Sequence, residues 1–145
     1  DGDLQPYENN AFWANLRTHL EGVGIAYSGR VLAWKQGGDE QDNVLVYDIV
    51  AKDQESFLKA HNKIVSQLEN SVFKNRTVGF GTYDIGRPGG ATHWIGISGT
   101  NSNDILSMIN DIQTNYSKEL NQYFESRGEV IDIRDFRLSN VRTYQ

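Results

Sequence analysis

Three histidines, His19, His61 and His93, are the side chains in this sequence best suited to proton transfer near neutral pH. They stand far apart and lack the paired His-x-x-x-His spacing of a helical metal site, so the residue pattern implies no bound metal. His93 follows a glycine-rich turn and precedes Trp94, which makes it the candidate general base at the mouth of a cavity. His61 falls on the apolar stripe of a helix, where a hydrogen-bonded core or interface histidine is expected. His19 lies near the end of the first helix, where a cation-capable side chain complements the helix dipole.

Asp48, Asp84 and Asp132 all occupy extended, largely apolar stretches. A carboxylate there points to solvent or finds a partner, because burying it alone is costly, and Arg134 and Arg137 in the last strand are the natural partners. Two of these aspartates sharing a cavity would form an acid–base pair. The segment Gly86-Arg87-Pro88-Gly89-Gly90 offers the exposed amides of an anion cradle but has no Gly-Lys-Ser/Thr ending and leads into a strand, so a hairpin turn is the expected role. No Gly-x-Ser-x-Gly element supports hydrolase chemistry. Trp34, Tyr47, Tyr83 and Trp94 make the sheet aromatic, which suits core or interface packing or a pocket for a planar ligand. Gly79, Gly81 and Gly96 would leave room for such a ligand above the sheet.

The 145 residues suit one domain, spanning 1–145 without an internal linker. Apolar residues at 38% and aromatic residues at 11% are enough to build a core. A formal net charge of −5 speaks against nucleic-acid binding, which relies on clustered Lys and Arg. The longest nearly apolar run, residues 44–50, is far short of the roughly 20 residues that cross a bilayer, so the chain is not expected to be membrane-integral. The lack of cysteine removes disulfides, thiolate nucleophiles and Cys-based metal sites. No cofactor is implied. A start at Asp1 suits a mature exported protein, periplasmic or secreted, with the cytoplasm as the alternative.

Apolar spacing predicts helices over residues 8–21, 54–69 and 102–126. Two-residue alternation predicts a hairpin of residues 23–33 with 43–51, a second hairpin of 76–85 with 91–99, and a final strand over 129–143. A weak repeat of the strand–strand–helix unit links Val23-Gly24-Ile25 to Val78-Gly79-Phe80. From residue 43 onward the order is βαββαβ, so the expected fold class is α+β. It has a ferredoxin-like core, a mainly antiparallel sheet and an extra N-terminal helix and strand.

This order, the small size, the long last helix and the Trp- and Tyr-bearing strands resemble the dimeric α+β barrel superfamily over residues 23–143. That superfamily includes antibiotic-biosynthesis-monooxygenase-like and stress-responsive barrel proteins. The resemblance is architectural. It implies a homodimer with sheets paired face to face and a cavity for a small aromatic or hydrophobic ligand. The helices are expected on one sheet face, leaving an aromatic face to pair or to bind. As a binding module the domain would hold an apolar or aromatic small molecule with Trp34, Tyr47, Tyr83 and Trp94, oriented by His93 or Arg134. The alternatives are a cofactor-independent monooxygenase-like or isomerase-like enzyme using His93 as base, and a protein-interaction domain.

Overall fold

The computed structural model describes residues 28–139. It is an α+β fold in which β1 (Val31–Lys35), β2 (Asn43–Ala51), β3 (Val78–Thr82), β4 (His93–Gly99) and β5 (Val130–Ser139) form one open sheet. The strand order is β1-β3-β4-β2-β5, and every neighbouring pair is antiparallel. Three helices complete it: α1 (Gln54–Leu68), α2 (Ser102–Asn115) and α3 (Ser117–Ser126). Among the described residues no helix is long and apolar enough to cross a membrane. The helix expected at 8–21, His19, the strand start at 23–27 and the chain after 139 lie outside the described residues.

β2 is rich in β-branched residues and is buried on both faces. Its Leu45, Ile49 and Ala51 join the helix-side core with Phe57, Ile64, Leu68, Phe80 and Ile105, whereas Val44 and Val46 join a second cluster with Tyr83, Ala91 and Trp94. β5 forms one edge and carries the charged residues Asp132, Arg134, Asp135 and Arg137, which discourage pairing with another chain. Asp53 caps α1 by accepting from the Ser56 amide at 3.0 Å. Asn101 caps α2 by accepting from the Asp104 amide at 2.9 Å, while Asp104 accepts from the Thr100 amide and takes a bidentate bond from Arg76.

Two expectations need correction. The predicted first hairpin does not form, because β1 pairs with β3 and β2 pairs with β4 and β5. Trp34 of β1 sits opposite Gly79, a fit of large side chain to absent side chain that β2 does not offer. Lys35 then fixes the strand end by donating to the carbonyls of Phe73 and Arg76 at 2.7 and 2.9 Å. The predicted helix over 102–126 breaks at Tyr116, whose φ of −128° and ψ of 31° are not helical. The amide of Tyr116 still reaches the Ile112 carbonyl, so hydrogen bonding carries through the bend. The change of direction brings Tyr123 of α3 edge-on to Phe57 of α1, with ring centroids 5.9 Å apart.

The glycine-rich segment does join β3 to β4 as a hairpin connection, through one short 3₁₀ turn at Pro88–Gly90. Gly86, Gly89 and Gly90 adopt positive φ, and the Gly90 and Ala91 amides are spent on the carbonyls of Arg87 and Pro88.

Candidate functional site

Between the sheet and the three helices lies a cavity of about 520 Å³. Ile49, Val78, Ile95 and Ile97 of the strands line it from below, Ile64 and Val65 from α1, and Met108, Ile109 and Ile112 from α2. Exposed polar residues, Gln113, Asp132 and Asp135, stand at its rim with Tyr123 of α3 and Arg127 just past the end of that helix. The guanidinium of Arg127 stacks over Phe124 at 4.7 Å, which holds this cation at the edge. Such a volume, apolar inside and polar at the mouth, falls in the range of small-molecule pockets.

His61 is the buried polar residue of the lining. It is 4% exposed, lines the cavity and lies 5.5 Å from the Phe80 ring. Neither ring nitrogen has a hydrogen-bond partner among the described residues, so the bond expected for a core histidine is missing. Burial pushes its pKa down to about 4, so the ring is neutral at pH 7 and keeps one donor and one acceptor unused.

The residues singled out by sequence fall into three places. Tyr47 and Arg134 line the cavity. Burial first, then Asp135 and Asp132, pushes the Tyr47 phenol up, so it remains a neutral donor. Arg134 donates from Nε to Asp48 Oδ2 at 2.8 Å and stacks over Phe136 at 4.8 Å. Asp48 is fully buried, and the Tyr83 hydroxyl donates to its other oxygen at 2.8 Å. The expected Asp48–Arg134 pair therefore forms, and Tyr83 belongs to that pair rather than to the cavity. Asp84 pairs instead with Arg30, so the three aspartates do not share a site.

Trp34 and Trp94 pack in the second cluster. A Cβ placed on Gly81 would come within 2.5 Å of the Trp94 ring, and one on Gly79 within 2.9 Å of the Trp34 ring and 3.1 Å of Trp94. The room that these glycines leave above the sheet is filled by the two indoles. His93 is 6% exposed and stacks on Phe80 with centroids 5.3 Å apart, on the helix side but outside the cavity lining. Its Nδ1 lies 2.7 Å from Thr92 Oγ1 and its Nε2 2.8 Å from Gln54 Oε1, so both nitrogens are engaged. Burial lowers its pKa as well.

Sequence reasoning placed His61 in the core without seeing that the core has a hole beside it. Tyr123 was not linked to a site by sequence, because α3 folds back only through the break at Tyr116, and of the three strand aspartates singled out it is Asp132, joined by Asp135, that reaches the rim. Among the described residues no group of three His, Asp or Glu is arranged to hold a metal ion. No family model, no curated protein and no solved structure matches this chain.

Proposed function

We propose that this domain is a binding module that holds a small, predominantly apolar molecule in the cavity between sheet and helices. The supporting observation is the cavity itself: about 520 Å³ bounded mainly by aliphatic and aromatic side chains from three helices and four strands, with most of its polar groups at the rim. Apolar cavities exclude water, which would find too few partners, and so favour apolar guests.

The strand order β3-β4-β2-β5 and the helical connections from β2 to β3 and from β4 to β5 favour a ferredoxin-like core, with β1 added at one edge. A face-to-face dimer has less in its favour, since Val44, Val46 and Trp94 on the second face are already 0% exposed within one chain. An enzyme with His93 as base is also less favoured, because Thr92 and Gln54 occupy both nitrogens of its ring.

Fluorescence titration with N-phenyl-1-naphthylamine tests the proposal. The wild type should bind the probe saturably, and Ile109→Trp, which fills the cavity from α2, should weaken binding at least about tenfold while keeping the native circular dichroism. A wild type that takes up neither this probe nor simple aromatic hydrocarbons refutes the reading.

A further inference from the structure

We infer that the ligand of this cavity carries a neutral hydroxyl group, as an alcohol or phenol, that hydrogen-bonds to the imidazole of His61. The inference rests on the binding reading above and goes beyond it by naming the polar group on an otherwise apolar molecule.

Two independent observations meet at this point. The interior of the cavity is lined mainly by aliphatic side chains of α1, α2, β2, β3 and β4, joined by the Phe73 ring. The polar lining residue that is buried is His61, 4% exposed and without a hydrogen-bond partner among the described residues, whereas the other polar side chains, Tyr47 and Tyr123 among them, are half-buried or stand at the exposed rim. A buried polar group left unpaired is costly in any folded protein. The two histidines of the helix-side core make the contrast plain, for His93 has both nitrogens engaged and His61 has neither.

The chemistry of the neighbourhood selects the partner. A carboxylate at His61 would bring a charge into a largely apolar interior, because Arg127 stands at the rim over Phe124 and the Arg134 guanidinium is bonded to Asp48 on the other face of the sheet. An ammonium group at His61 would bring the same cost with only the ring's lone pair beside it, since Asp132 and Asp135 stand at the exposed rim. A hydroxyl is neutral and both donates and accepts, so it can bond to whichever ring nitrogen faces the cavity, protonated or not. The rest of the molecule is then hydrocarbon, matched to the isoleucines and Met108.

Titration of the wild type and of His61→Phe with naphthalene, 1-naphthol and 1-naphthoate at pH 7 tests the inference. In the wild type 1-naphthol should bind roughly tenfold more tightly than naphthalene, and 1-naphthoate more weakly than either. His61→Phe should bind naphthalene as before and lose the advantage of 1-naphthol, and His61→Gln, which retains a donor and an acceptor, should recover part of it. Nitrogen-15 chemical shifts of the His61 ring in the wild type supply a readout that needs no variant: 1-naphthol should move them and naphthalene should leave them nearly unchanged. Equal affinity for naphthalene and 1-naphthol in the wild type, or a 1-naphthol preference that survives in His61→Phe, overturns the inference and leaves the cavity reading standing. Failure of both naphthalene and 1-naphthol to bind the wild type overturns the cavity reading and the inference together.

Discussion

The two faces of the sheet solve opposite packing problems. On the second face, Gly79 and Gly81 withhold side chains where Trp34 and Trp94 lay down their rings, and the buried carboxylate of Asp48 takes bonds from both Tyr83 and Arg134. Volume is filled there and the carboxylate is paired. On the helix side, isoleucines, valines, Met108 and Phe73 line the interior of a cavity of about 520 Å³, and His61 has no hydrogen-bond partner among the described residues. Empty volume and an unpaired polar atom each cost stability, so their coincidence on one face marks that face as the one open to a guest.

The largest test of this contrast is to break the pair on the filled face. Arg134→Met leaves the fully buried Asp48 with Tyr83 as its remaining hydrogen-bond donor among those described, and should cost about 3–5 kcal/mol in urea unfolding. Adding Asp48→Asn should return part of that loss, because the stranded charge is then gone. Equal stability of Arg134→Met and wild type would mean that Asp48 is not closed from water.

Next in size is the pH response of His61. Its folded pKa of about 4 lies below the ordinary 6.5, so the unfolded chain binds more protons between those values. The stability tied to the neutral ring is complete above about pH 6.5 and is lost progressively as pH falls toward 4, a change of about 3 kcal/mol. His61→Phe should flatten this part of the stability–pH curve and, at pH 7, be at least as stable as wild type. A slope unchanged in the variant would assign the titration elsewhere. Arg76 holds the Asp104 carboxyl below the usual carboxylate range, so the support that pair lends to the start of α2 fades only at lower pH.

Gly81→Ala tests the filled face by overpacking. The added carbon would meet the Trp94 ring at 2.5 Å and the Arg30 carbonyl at 2.4 Å, and should cost about 1–3 kcal/mol. An unchanged melting temperature would show that Trp94 can move away. The smallest effect is expected from Gln54→Ala, which removes the partner of His93 Nε2 at an exposed first turn where water can substitute. A loss of about 0.5–1 kcal/mol is expected, with binding of N-phenyl-1-naphthylamine unaltered. Reduced probe binding in Gln54→Ala would bring His93 back into the site.

Most elements were legible because their signals are local. The cap at Asp53 and the apolar stripe from Phe57 to Leu68 define α1 within one residue of the expectation, and alternating β-branched residues mark β2. Those patterns reflect backbone hydrogen bonding and one buried face, both set by neighbours a few positions away. Strand pairing was harder to see. The nearest strand in sequence to β1 is β2, yet the Trp34–Gly79 fit and the Lys35 bonds to residues 73 and 76 carry β1 to β3.

The sequence by itself therefore determined the α+β class, the mostly antiparallel strands and the turn at Gly86–Gly90. Each follows from residue type and short-range periodicity. Only the tertiary structure decided which arginine and tyrosine meet Asp48, 86 and 35 positions away, and that the indoles fill the space over the glycines. It likewise decided that the break at Tyr116 turns α3 back onto α1, and that His61 rather than His93 faces the cavity. The reason is physical: a cavity is defined by where side chains from distant segments fail to meet, and no local pattern of residues records a contact that is not made.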